Sequence, residues 1–181
     1  MIKVIKDVKI YAPEYLGKKD LVISSNKIEG IYDSIDVPEN FINIEVIDGR
    51  NKLIFPGFID NHVHINGAGG EGGFKMRTPE IVLSDLTKAG ITTVVGCIGT
   101  DGICRDMSSL IAKAKSLEEE GITTYCYTGS YEIPVKTLTE SIKKDIMLID
   151  KIIGIGEIAI SDTRSSQATY DELVQAIAQS R

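Results

Sequence analysis

The sequence predicts an α/β protein: a small β-sandwich-like unit over residues 1–55, then a series of βα units over residues 56–181. Three observations carry that prediction. The first 55 residues show short apolar runs broken by turn clusters. Beyond Pro56, candidate strands begin near Phe58, Ile91, Ile122 and Ile152, a spacing of about 31 residues, the length of one strand plus its crossover helix. The strand segments, among them Ile91 to Ile98 and Ile152 to Ile160, are near-continuous apolar runs, the pattern of a parallel sheet covered on both faces.

Composition bounds the possibilities. With 181 residues, 43% of them hydrophobic, the chain has ample material for a core, and disorder is excluded. A net charge of −6 and a pI near 5.0 argue against a sequence-independent nucleic-acid binder. The start MIKVIKDVKI interleaves charge with apolar residues and reads as neither signal peptide nor anchor. No apolar run approaches about 18 residues, so a cytoplasmic location is expected. Cys97, Cys104 and Cys126 are odd in number, lie in or beside apolar strands and read as reduced, packed thiols.

In the first unit, Leu21 to Ile23, the turn cluster Ser24-Ser25-Asn26, then Ile28 and Ile31 predict a hairpin. Phe41 to Val46 alternates apolar and polar residues, as a half-wet strand does, and Asp48-Gly49 supplies a turn. In the second unit, Thr78-Pro79 reads as the cap and first residue of a helix closed by Gly90. The second helix ends at Gly121, with Leu110, Ala114 and Leu117 on its apolar face and Lys113, Glu118 and Glu119 towards solvent. Ile142, Ile146 and Ile149 mark a third helix. Thr169 and Glu172 form a capping-box pattern before a fourth, with Leu173 and Ile177 on one face. Gly-Ile-Thr-Thr occurs twice, at 90–93 and 121–124.

Such a sheet is either doubly wound or part of a (β/α)8 barrel, and both collect ligands at the carboxyl ends of their strands. Residues able to do chemistry fall there. His62 and His64 are the chain's two histidines and end the first strand, where alternation turns both to one side. A pair of imidazoles on one face can grip a metal ion, although two polar residues leaving a buried strand would look the same. Thr100 follows the second strand, Tyr131 the third, and Glu157, Asp162 and Arg164 lie at or after the fourth.

PGFID-x-HVH after a small β unit resembles the entry to the metal barrel of the amidohydrolase superfamily. The runs HVHINGAGGEGG, RTPE, LTKAGITTVVGCIGTD, TGSYEIP and AISDTRS narrow the resemblance to the isoaspartyl (β-aspartyl) dipeptidase family. It implies a truncated TIM-type barrel with two zinc ions per full-length subunit, holding a bridging hydroxide that attacks a β-aspartyl peptide bond. His62 and His64 match ligands of one ion. Gly69, Gly70 and Glu71 match the loop whose carboxylate holds the α-ammonium of an isoaspartyl dipeptide; a solvated surface loop is the alternative. Thr100 matches a further substrate contact, against a plain turn residue. Tyr131 matches the phenol that steadies the oxyanion, against a ring packed beside Pro134. Arg164 matches the guanidinium that takes the substrate carboxylate, against a pairing with Asp162. A homo-oligomer is expected of the full-length enzyme.

Two departures stand out. Glu157 occupies the position where the family commonly has a carboxylated lysine bridging both metals; a glutamate supplies the same charge and two oxygens, and Gly154 and Gly156 adjust its reach. A strand-end acid in solvent is the alternative. The second departure is length: a full barrel takes about 250 residues, whereas residues 56–181 suffice for four units. Half the ligands and the expected general base would come from later strands, and the first and fourth strands would present open edges. The 181 residues alone are therefore expected to be inactive and to bind zinc weakly. An inactive half-barrel or partner-dependent subunit stays open, as does a sibling acting on a cyclic amide (dihydroorotase or hydantoinase type) or an N-acyl substrate (deacetylase type).

Overall fold

The computed structural model describes residues 1–39, 43–70 and 72–180. The chain forms two compact units, Met1–Pro56 and Gly57–Arg181.

The first unit holds β1 (Ile2–Tyr11), β2 (Tyr15–Ser24), β3 (Lys27–Tyr32), β4 (Ile44–Asp48) and β5 (Leu53–Ile54). These make one sheet in the order β3-β2-β1-β4, with β5 also on β1, rather than the two facing sheets of a sandwich. The long β1 accounts for the difference: its first half pairs with β4 and its second half with β5, both parallel, while β2 runs antiparallel on its other side. The predicted hairpin is β2–β3. Ser24 pairs with Lys27 around Ser25 and Asn26, whose φ values of 50° and 62° are the two positive angles a tight two-residue turn demands. Of the strand expected from Phe41, the first two residues lie outside the described residues, and β4 begins at Ile44. Val8, Ile10 and Leu21 form the core of this unit.

The second unit runs β6 (Phe58–Val63), α1 (Leu83–Lys88), β7 (Ile91–Gly96), α2 (Met107–Glu119), β8 (Thr123–Thr128), α3 (Ile142–Leu148), β9 (Ile152–Ile155) and α4 (Tyr170–Gln179). Its sheet is parallel throughout, in the sequential order β6-β7-β8-β9. The repeated Gly-Ile-Thr-Thr marks the same junction twice: Gly90 and Gly121, both at positive φ, close α1 and α2 as β7 and β8 begin. Val94, Leu110, Ala114, Leu117, Cys126 and Ile152 anchor a core between sheet and helices.

Several local expectations are corrected. Thr78 does not cap α1. Its N–H and hydroxyl fasten Ala68, Ile81 donates to the Ile65 carbonyl, and the helix starts only at Leu83 once those backbone groups are committed. Lys113 is half-buried and reaches Glu80 at 3.3 Å instead of facing open solvent. On α4 it is Ala176 that is buried, while Ile177 is exposed; the capping box of Thr169 and Glu172 is present. β9 stops at Ile155, because Gly156 and Glu157 turn out of the strand. Both faces of the sheet are not covered: Ile59, Tyr125 and Ile153 are exposed although their strands read as apolar throughout. Cys104 is exposed in the loop before α2 rather than packed, whereas Cys97 and Cys126 are buried and all three are free thiols.

Candidate metal centre

The four strands of the second unit deliver their carboxyl ends to one place. His62 is the penultimate residue of β6 and His64 lies just beyond the strand, with ring centroids 5.5 Å apart. Cys97 follows β7 directly, and Glu157 stands two residues past β9. His62 Nε2 and Glu157 Oε2 are in direct contact. Cys97 Sγ is 3.6 Å from His64 Nδ1 and 4.0 Å from Glu157 Oε2, and one donor atom from each of the four lies within 4.8 Å of the others. The edge strands of a flat four-stranded sheet would be about 14 Å apart at the usual strand spacing. The side chains of His62 and Glu157 reach across that span at the carboxyl end of the sheet.

Small residues make this convergence possible. Gly99, at φ 75°, leaves room for the His64 ring, and Gly154 and Gly156 lie flush against the Tyr127 ring, so the chain reaches Glu157 without a side chain in between. Burial, then the charge of Glu157, raises the Cys97 thiol to about 12.

Beside the cluster is a cavity of about 200 Å³ lined by His64, Gly69, Thr100, Tyr131, Glu157 and Arg164, among others. Most of the predicted site residues thus share one space. Glu71 lies outside the described residues. The backbone at Gly69 closes on the Met76 carbonyl, where a Cβ would collide, and both Gly69 and Gly70 have positive φ. Tyr131 donates its hydroxyl proton to Asp162 Oδ2 at 3.2 Å, and Arg164 donates to both oxygens of Asp162, at 2.9 and 2.7 Å, with its guanidinium 5.4 Å from the Tyr131 ring centre. The guanidinium holds the Asp162 carboxyl well below the usual range. Partial loss of water, then the bond to Asp162, raises the Tyr131 phenol.

Two residues of this arrangement were not singled out by sequence. Cys97 carried a usable signal, since it occupies in β7 the strand-end position that His62 and His64 occupy in β6. Asp162 was read as a competitor for Arg164; its hold on Tyr131 needed the fold to be seen.

The strand ends of this parallel βα sheet thus pool two histidines, a thiol and a carboxylate, and the chain's relatives are hydrolases of the amidohydrolase type. No family model matches the sequence. Across 99% of its length the chain is similar to a β-aspartyl dipeptidase from the keratin-degrading thermophile Fervidobacterium islandicum AW-1, solved in complex with a β-Asp-Leu dipeptide, at 52% identity and a TM-score of 0.94. A dihydropyrimidinase from Brevibacillus agri NCHU1002 shares the fold over 99% of the chain, at 16% identity and a TM-score of 0.64. Among curated relatives, a dihydroorotase from Staphylococcus epidermidis is 37% identical over 93 residues, 51% of this chain and 21% of its own length. The chain spans 46% of the Fervidobacterium enzyme and 38% of the dihydropyrimidinase. The resemblance to β-aspartyl dipeptidase read from the motifs thus extends over the whole chain and about half of the relative.

Proposed function

We propose that these residues are the front half of a metal-dependent β-aspartyl dipeptidase, with β6–β9 as the first four strands of a (β/α)8 barrel. The meeting of His62 and Glu157 from opposite edges of the sheet is the observation that carries this reading. It brings metal-binding groups from both edge strands to the carboxyl end of the sheet, the face where such barrels work.

The donors fit a divalent ion: two imidazoles and a carboxylate converge within reach of one another. His62 and His64 would hold the ion with Glu157 as a carboxylate ligand, and zinc is the ion we assign. A bound zinc would make water nucleophilic near neutral pH and polarise the scissile carbonyl. The protein's own groups do the rest. Tyr131 is a protonated phenol at neutral pH, as its raised value reinforces, so it can donate a hydrogen bond as negative charge builds on the carbonyl oxygen. Arg164 lies on the same cavity and offers a planar fork to the carboxylate of a dipeptide, which must share or displace Asp162. Thr100 lines the same cavity, and Glu71 is assigned to the α-ammonium. The general base belongs to a strand these residues do not include, so on their own they hydrolyse nothing.

The dihydroorotase similarity is a specific reason to keep a cyclic amide as the second reading. A chimera carrying these residues in place of the matching half of the Fervidobacterium dipeptidase separates the two. With zinc it is expected to hydrolyse β-Asp-Leu and to leave dihydroorotate intact. A folded chimera that opens dihydroorotate, or that hydrolyses neither, overturns the assignment; chelator-sensitive hydrolysis of β-Asp-Leu by the 181-residue chain alone overturns the inactivity expected of these residues by themselves.

A further inference from the structure

We propose that Cys97 is itself a metal ligand, so that His62, His64, Cys97 and Glu157 close a four-donor site drawn wholly from this chain. The inference rests on the metal-centre reading and adds a thiolate to it. In a tetrahedral zinc site with bonds of about 2.0–2.1 Å to nitrogen and about 2.3 Å to sulfur, neighbouring N and S ligand atoms stand about 3.6 Å apart. Cys97 Sγ and His64 Nδ1 are 3.6 Å apart, and the sulfur is 4.0 Å from Glu157 Oε2.

The surroundings of the thiol point the same way. Cys97 is fully buried, yet its sulfur meets an imidazole nitrogen and a carboxylate oxygen rather than the apolar contacts a packing cysteine prefers. Cys126, one strand away, is the internal comparison: equally buried, it belongs to the apolar core with Leu110, Leu117 and Ile152. The Cys97 position is also fixed by backbone, since its N–H donates to the Val63 carbonyl between the two histidines, which ties the end of β7 to the end of β6. Coordination exchanges the S–H bond for a sulfur–metal bond, and the proton leaves to buffer. A soft ligand among two borderline ones and one hard one favours zinc, cobalt or cadmium over magnesium or calcium.

Cobalt(II) is the probe, because a thiolate ligand adds a near-ultraviolet sulfur-to-cobalt band to the visible d–d bands of the ion. The 181-residue chain titrated with Co²⁺ is expected to show both, and the Cys104→Ser/Cys126→Ser double variant, whose sole thiol is Cys97, is expected to keep both. Cys97→Ser and Cys97→Ala are expected to lose the sulfur band, and to bind the ion more weakly through the remaining donors. Visible bands without a sulfur band in wild type or in the double variant overturn the thiolate and leave the histidine–glutamate centre standing. A sulfur band that survives in a Cys97 variant places the ligand on another cysteine. Absence of any cobalt spectrum in wild type overturns the thiolate and the metal centre together.

Discussion

A Cβ on Gly99 would lie 2.8 Å from His64 Nδ1 and closer still to the neighbouring ring carbon. The glycine is thus the floor on which the imidazole lies, and its φ of 75° is itself unfavourable to any residue with a side chain. Gly99→Ala is expected to push the ring off the cluster. Metal stoichiometry and dissociation constant should show the loss while far-ultraviolet circular dichroism stays near wild type; unchanged affinity would mean that the ring does not need this space.

Asp162 ties together two groups assigned to the substrate. Removing its charge with Asp162→Asn takes away a cause that holds the Tyr131 phenol up and leaves the Arg164 guanidinium, which pulls it down. The phenol should therefore ionise at lower pH in the variant. Ultraviolet titration, with Tyr131→Phe to identify the signal among the seven tyrosines, checks the direction. An unmoved titration would separate Asp162 from Tyr131.

Asp145 is fully buried and accepts from the Thr128 and Thr139 hydroxyls, at 2.5 and 2.6 Å, and from the N–H groups of Leu138 and Thr139. Burial alone would raise its carboxyl, yet these donors outweigh it and hold the group below its ordinary value. A depressed folded-state value means that the contribution to stability is complete above the unfolded pKa of about 3.9 and is lost as pH falls through the lower folded one. Asp145→Ala should cost about 3 kcal/mol at neutral pH, because four donors lose their acceptor. Urea unfolding of both proteins should show the gap narrowing towards about pH 3; a gap independent of pH would assign the cost to packing.

Asp106 caps α2, taking the Ser109 N–H at 2.8 Å while the Ser109 hydroxyl faces its own N–H. Asp106→Ala should cost about 1 kcal/mol in denaturant melts, with Asp106→Asn close to neutral. An alanine variant as stable as wild type would show that tertiary packing of Leu110, Ala114 and Leu117 sets the helix start without the cap.

The parallel half of the fold was legible because its signals are local and repeated: apolar strands at even intervals, glycines where α1 and α2 end, and a capping box at Thr169. His62, His64, Tyr131, Glu157 and Arg164 were placed at strand ends by the same regularity. The rest depends on contacts distant in sequence. Thr78 looks like a cap until Ala68 claims its hydroxyl. Ile59 and Ile153 look like core residues, because an apolar strand reads the same whether or not something covers it. Cys97 looked like filler because burial and ligation both favour cysteine, and only its neighbours from β6 and β9 tell them apart.

His62 and Glu157 come from β6 and from just past β9, which share no hydrogen-bonded ladder among the described residues, so an ion held between them would act as a clasp across the mouth of the sheet. Strand pairing would then govern one end of the unit and chelation the other. Its resistance to unfolding should rise with the logarithm of free metal concentration once the dissociation constant is passed. Metal depletion should speed amide exchange first in β6 and β9, the edge strands of this sheet among the described residues.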